Sequence, residues 1–144
     1  MEMRKLGRTG IEVSRLGLGC ATFGREIDEA TSFQIMDSAL GQGINLFDTS
    51  EAYGGGQARR YRYNQLGVND VREVSGEMHS SERILGRWIK SRGVKSRIVV
   101  QTKVSANGTE SGVRAALDAS LHRLQVDHID FYLFHNYDPK IPLE

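Results

Sequence analysis

The chain has 144 residues, of which 39% are hydrophobic and 26% charged, and its 19 Lys and Arg against 18 Asp and Glu leave a formal net charge of +1. That balance excludes a polybasic nucleic-acid binder or an acidic tail as the main activity, and the apolar content suits one folded domain rather than a disordered chain. The longest near-apolar runs, Ile98-Val99-Val100 and Ile129 to Phe134, fall far short of the roughly 20 residues that span a bilayer, and Met1 to Lys5 leads into no apolar signal core. A soluble, cytoplasmic protein is therefore expected, with no membrane partner. The single Cys20 has no intrachain partner for a disulfide, which agrees with a reducing compartment.

Met3 to Leu6 and Ile11 to Ser14 read as two short strands joined through Gly7-Arg8-Thr9-Gly10, a β-hairpin. Arg15 to Gly19 reads as a strand that leaves into a loop through Gly24. From Asp28 the period changes: Phe33, Met36, Ala39 and Leu40 recur at helical spacing, Asp28 can cap the start, and Gly41 and Gly43 can end it. Ile44 to Phe47 follows as a buried strand ending at Asp48-Thr49-Ser50. A second helix is predicted from Ser81 to Ser91, with Ile84, Leu85, Trp88 and Ile89 on one face and Gly93 as its stop. Ile98 to Thr102 is the next strand. The third helix carries Val113, Ala116, Leu117, Ser120, Leu121 and Leu124 at i, i+3, i+4, i+7, i+8 and i+11, and leads to the strand Ile129 to Phe134.

Strands alternating with helices imply an α/β fold of parallel strands joined by helical crossovers. Two architectures fit, an open doubly wound sheet and a (β/α) barrel. Between the strand at Asp48 and the helix at Ser81 lies a polar stretch with no helical or alternating pattern, read as a loop insert over residues 57–80. On the C-terminal side of a parallel strand, such an insert is either an active-site lid or a solvated surface loop.

Asp48, Lys103 and His135 each fall at the C-terminal end of a different predicted parallel strand, the edge where α/β folds build active sites. Tyr53 follows Asp48 closely enough to turn over the same edge. A phenol beside a lysine ammonium gives up its proton more readily than a free phenol, and a carboxylate can keep that ammonium charged in a partly dry site. Tyr53 then serves as a proton donor to a developing alkoxide, with His135 hydrogen-bonding the same oxygen. This set suits carbonyl reduction.

With those residues in place the sequence resembles the aldo-keto reductases. The matching segments are Leu6-Gly7-Arg8-Thr9-Gly10 with Val13-Ser14, Leu16-Gly17-Leu18-Gly19 with Thr22-Phe23-Gly24, Phe47 to Gly54, Ser81 to Gly86, Thr102-Lys103-Val104, and Ile129 to His135, in the family's order. The resemblance implies a TIM-type barrel whose bottom is closed by the N-terminal hairpin. It implies hydride transfer between a nicotinamide cofactor, usually NADPH with NADH the alternative, and a small aldehyde or ketone. It assigns Asp48, Tyr53, Lys103 and His135 as the catalytic four, and places Gly19, Cys20 and Ala21, together with Asp48, near the nicotinamide.

The resemblance covers the first half of the family pattern: a partial (β/α)8 barrel of four strands and three helices, where the full barrel takes about 250 residues. The chain is thus expected to be a fragment, a truncated product or half of a two-chain assembly, one that self-associates or pairs with a C-terminal half through its open strand edges. A second functional reading follows, a catalytically silent half-barrel that acts as an assembly module. Taken singly, the candidates also have structural explanations: Asp48 as a turn cap, Lys103 as a solvated strand end, His135 as a core histidine, Tyr53 as packing. His122 and His128 read as structural, His79 as a surface histidine and Cys20 as a packing residue. Gly17-Leu18-Gly19 with Gly24 does not match the G-x-G-x-x-G fingerprint of dinucleotide-binding domains, and no His or Cys spacing suits zinc. Arg59, Arg60, Arg62 and Arg72, with Tyr61 and Tyr63 between them, are too few in a near-neutral chain to argue for nucleic acid.

Overall fold

In a computed structural model that describes residues 1–105 and 108–136, the chain opens with the antiparallel hairpin β1 (Met3–Lys5) and β2 (Glu12–Ser14), in which Arg4 lies opposite Val13. Asn45 ties this hairpin to the chain entering the main sheet. Its Oδ1 accepts from the Ser14 N–H at 2.7 Å, its own N–H donates to Ser14 Oγ at 3.0 Å, and its Nδ2 donates to Glu12 O at 2.9 Å. Asn45 precedes the strand that ends at Asp48, so the hairpin sits at the end of the sheet opposite to Asp48.

Four strands follow, β3 (Gly17–Gly19), β4 (Leu46–Asp48), β5 (Val99–Val104) and β6 (Phe131–Phe134), all parallel and in the order β3-β4-β5-β6. Helical crossovers join them: α1 (Glu29–Gly41) between β3 and β4, α3 (Ser80–Arg92) between β4 and β5, and α4 (Glu110–Leu124) between β5 and β6. Spatial order equal to chain order is the winding of a barrel wall, whereas a doubly wound sheet reverses direction part-way. Of the two architectures that the alternation of elements allows, the structure has the barrel wall that the resemblance implies.

The apolar core fills the space between the sheet and its helices. Met36 of α1, Phe47 of β4, Leu85 and Trp88 of α3, Val100 of β5 and Leu124 of α4 are all fully buried in it. The Phe47 and Trp88 rings lie 5.1 Å apart, and the indole N–H of Trp88 donates to Asp37 Oδ1 at 2.8 Å, so the one polar atom of the largest core side chain is satisfied. Asp28 caps α1 as its position suggests, accepting the Thr31 N–H at 2.7 Å.

Helices α3 and α4 meet at Gly86, where an added Cβ would come within 2.4 Å of the Arg123 carbonyl oxygen. Glu82 lies beside this crossing, fully buried. It accepts from Thr102 Oγ1 at 2.7 Å and from Arg123 Nε at 2.5 Å, so the carboxylate enters the core with both oxygens engaged.

The expectation of a patternless loop over 57–80 is corrected by the structure. This region contains a further helix, α2 (Gly55–Tyr61), extended by a π-helical turn over Arg62–Leu66, which brings the helices to four rather than three. Apolar periodicity misses it because ion pairs and backbone packing hold it. Arg62 grips the buried Glu73 with two hydrogen bonds, at 2.5 and 2.7 Å, and Asp70 with a third at 2.8 Å. Val74 and Ser75 donate their N–H groups to Arg25 O and Gly24 O at 3.1 and 3.2 Å. At Gly55 a side chain would collide with Ser75 O and Gly24 O, so the start of α2 requires glycine.

Candidate active site

Side chains alternate across a strand, so β4 and β5 send Phe47, Val100 and Thr102 toward the helices while Asp48, Gln101 and Lys103 face the other way. The register pairs Asp48 with Gln101 and Lys103 with Leu133. Asp48 ends β4, Lys103 is next to last in β5, and His135 directly follows β6. Because the strands are parallel, all three reach the same end of the sheet. Beyond Asp48 the chain folds back across β5, the Thr49 N–H donating to Gln101 O at 2.9 Å and the Glu51 N–H to Lys103 O at 3.3 Å. That turn delivers Tyr53.

The four residues meet. Lys103 Nζ lies 2.7 Å from Asp48 Oδ1, donates to Thr49 O at 2.9 Å and approaches the Tyr53 hydroxyl at 3.4 Å. The ammonium also stands over the Tyr53 ring, 4.8 Å from its centroid. Gln101 Nε2 donates to Asp48 Oδ1 at 2.6 Å, so a neighbouring amide further orients the carboxylate that holds the lysine. The His135 ring stands edge-on to the Tyr53 ring, 5.3 Å between centroids. Burial, and secondarily the Lys103 charge, hold the His135 imidazole below its ordinary pKa, against the opposing effect of Asp48 and Glu51. The site thus sets a phenol against a fixed ammonium and beside an imidazole that favours its neutral form.

Gly19 is exposed next to this group, and open space lies where its side chain would be. Cys20 is fully buried, with Sγ near Leu18 O at 3.7 Å and its N–H donated to Asp48 O at 2.8 Å. Burial pushes its thiol pKa up, so Cys20 presents an inert packing side chain, and its main chain is buried with it, the carbonyl accepting from Ser81 Oγ at 2.7 Å. Ala21 is half-buried. His79 is not the surface histidine expected: it is half-buried, holds a left-handed φ of 57° at the start of α3, and its Nδ1 meets Glu51 O at 2.5 Å while its N–H donates to Gln57 Oε1 at 2.8 Å. His122 is exposed on α4. His128 is exposed ahead of β6, at the far end of the sheet, between Asp127 and Lys95.

Sequence reasoning passed over Gln101, which the register alone places against Asp48. Its only signal was a spacing of two from Lys103 on one strand. It also passed over Ser50, whose Oγ lies 3.0 Å from His135 Nδ1, and Glu51, whose carboxylate accepts the Ser105 N–H at 2.5 Å. Among the described residues, no group of three or more His, Cys, Asp or Glu side chains is placed to hold a metal ion, and no helix is long and apolar enough to cross a membrane.

The model of the aldo/keto reductase family matches residues 15–144. The chain belongs to that family. Among curated relatives, the uncharacterized oxidoreductase YrpG of Bacillus subtilis (strain 168) is 36% identical over 156 residues, an alignment that takes in 99% of this chain and 42% of the relative. Among solved structures, PA4992 of Pseudomonas aeruginosa is similar with a TM-score of 0.71 and 30% identity, covering 95% of this chain and 48% of that one. The holo form of the aldo-keto reductase AKR11C1 of Bacillus halodurans gives 0.66 and 31%, over 92% of this chain and 40% of that one. This aldo/keto reductase chain therefore spans less than half the length of these relatives, and its sheet and helices are part of the (β/α)8 barrel that the solved structures complete.

Proposed function

We propose that Asp48, Tyr53, Lys103 and His135 form the proton-donating site of a nicotinamide-dependent reduction of an aldehyde or ketone, reversible as alcohol oxidation. The observation that carries this reading is the placement of Lys103 Nζ between the Asp48 carboxylate and the Tyr53 hydroxyl. When bound, the reduced nicotinamide supplies hydride to the carbonyl carbon. As negative charge grows on the carbonyl oxygen, Tyr53 donates its phenolic proton to it and the Lys103 ammonium stabilises the phenolate left behind. Asp48, itself oriented by Gln101, keeps that ammonium in place. His135 gives a second hydrogen bond to the same oxygen.

The residues at the sheet edge fit the nicotinamide end of the cofactor. Gly19 is exposed and open, and the Asp48 carboxylate next to it offers a polar contact, with the buried Cys20 supporting them from beneath and Ala21 completing the rim. NADPH is the proposed donor, NADH the alternative. A cleft of about 700 Å³ beside Tyr53, lined by Arg25, Gln57, Tyr61 and Arg72 among others, is the proposed place for the substrate. The 57–80 segment thereby serves as its wall rather than as a solvated loop.

The test is a spectrophotometric assay of NADPH oxidation against a panel of aldehydes and ketones, run on the chain and on Tyr53→Phe, with NADPH binding by both followed through fluorescence quenching. The reading expects turnover by the parent chain, a loss on the order of 100-fold or more in the variant, and unchanged binding. Equal rates for the two proteins, or binding without turnover in the parent, would refute it. One observation favours the second reading, an assembly module: β3 and β6 are the outermost strands of the described sheet, and Leu133 and Phe134 are 41% and 46% exposed. That reading predicts a defined oligomer whose properties Tyr53→Phe leaves untouched.

A further inference from the structure

Ser50 is fully buried in the turn between Asp48 and Tyr53 and belongs to none of the four residues assigned above. Its Oγ makes three approaches: 3.0 Å to His135 Nδ1, 3.1 Å to the Ala52 N–H and 3.3 Å to Lys103 O. A hydroxyl has one proton to give and two lone pairs to receive with. The Ala52 N–H takes one lone pair, so the serine proton goes either to His135 Nδ1 or to Lys103 O. The Lys103 carbonyl already accepts the Glu51 N–H at 3.3 Å, and the imidazole contact is the shorter.

The ring's surroundings settle what Nδ1 then does. The His135 imidazole favours its neutral form beside Lys103 of β5, with the Asp48 and Glu51 carboxylates on the β4 side opposing, and Tyr53 against its edge. A neutral imidazole carries one N–H and one lone pair. If Nδ1 receives the serine proton, the imidazole proton is on Nε2, and among the described residues no hydrogen bond ties up Nε2. Ser105 Oγ is a second neighbour of Nδ1, longer at 3.3 Å and on an exposed residue.

We propose that Ser50 is a positioning residue whose hydroxyl donates to His135 Nδ1, holding the ring in place and keeping the proton on Nε2, the nitrogen then left to donate to a carbonyl oxygen. This rests on the carbonyl-reduction reading for its purpose, and makes His135 a neutral hydrogen-bond donor rather than a proton source. Tyr53 is left as the single acid.

The experiment is long-range proton–nitrogen NMR on the chain labelled with ¹⁵N-histidine, with the His135 signals assigned by their loss in His135→Gln. In the parent chain Nε2 is expected to carry the proton and Nδ1 to show the shift of a hydrogen-bonded acceptor. In Ser50→Ala the Nδ1 signal moves toward that of a free nitrogen, and the titration midpoint of His135 rises because the neutral ring has lost a donor. Ser50→Thr, which keeps the hydroxyl, restores the parent pattern. A proton on Nδ1 in the parent chain overturns the proposal without any variant. So does a Ser50→Ala spectrum and midpoint equal to the parent's, or a larger change in Ser105→Ala than in Ser50→Ala. These readings need neither cofactor nor substrate, so the proposal can fail while the reductase reading stands, and the NADPH assay on Tyr53→Phe judges that reading separately. Where turnover is measured, Ser50→Ala is expected to lower kcat about tenfold, the loss typical of removing a hydrogen bond that orients a functional side chain, with KM little changed.

Discussion

Lys103 connects the residues of the candidate site, because its ammonium touches Asp48, the Thr49 carbonyl and Tyr53 at once. Lys103→Met keeps much of the stem and removes the charge. Carbonyl reduction is expected to fall by on the order of 100-fold or more while the fold, read by circular dichroism, is retained; undiminished turnover would detach the lysine from the chemistry. His135 carries a pH prediction. Its folded pKa lies below its unfolded value near 6.5, so below that pH the unfolded chain binds the additional proton and stability falls as pH drops from about 6.5 toward the folded pKa. Urea unfolding at pH 7.5 and pH 5.5 should show this loss, and His135→Gln should reduce it. That Asp48, Lys103 and His135 come together was legible in the sequence because each lies at the end of a parallel strand, and Tyr53 because it follows Asp48 within one turn. Ser50 and Gln101 were not, since each is an ordinary polar residue until the register sets one under His135 and the other beside Asp48.

At the scale of elements, the α2 segment shows where pattern reading stops. Its helix has no apolar stripe to reveal it, and its stability comes from Arg62, Glu73 and Asp70, which only the folded chain brings together. Arg62 holds the Glu73 carboxyl well down, to about 2. A depressed carboxyl pKa contributes stability that is present above the unfolded value near 4.5 and is lost as pH falls toward 2. Glu73→Ala is therefore expected to loosen residues 57–80 and speed their cleavage by trypsin several-fold at pH 7, with the core helices still protected; unchanged cleavage would show the ion pairs to be incidental. The α3–α4 crossing is held differently. Glu82→Ala takes away the buried carboxylate nearest Arg123, leaving it Ser120 Oγ at 2.9 Å and the Glu51 carboxylate at 4.0 Å, and a loss on the order of 3 kcal/mol in denaturant unfolding is expected. The boundaries of α1, α3 and the later strands were within reach of the sequence because caps and apolar spacing mark them; α4 begins at Glu110, ahead of its first apolar position, because Thr109 caps it by accepting the Gly112 N–H.

At the scale of the whole molecule, the alternation of strands and helices fitted an open sheet as well as a barrel, the resemblance implied the barrel, and the strand order β3-β4-β5-β6 agrees with it. Strand order depends on contacts far apart in the chain, which periodicity does not encode. One face of that wall is packed against α1, α3 and α4, whereas its two outermost strands, β3 and β6, are each paired on one side only among the described residues. Sedimentation velocity should therefore find the isolated chain associated, and Phe134→Lys, placed at an exposed position of β6, should shift it toward the monomer; a monomeric parent chain would argue against assembly through these edges. Whether the four residues at the C-terminal edge of this wall serve carbonyl reduction is decided by following an isotope. The chain is incubated with an aldehyde and NADPH carrying deuterium at the transferable position, and the product is analysed by mass spectrometry. An alcohol with one deuterium on its carbinol carbon is expected from the parent chain and is essentially absent with Tyr53→Phe. No labelled alcohol from the parent chain at saturating NADPH, or equal labelling with the variant, would contradict that role.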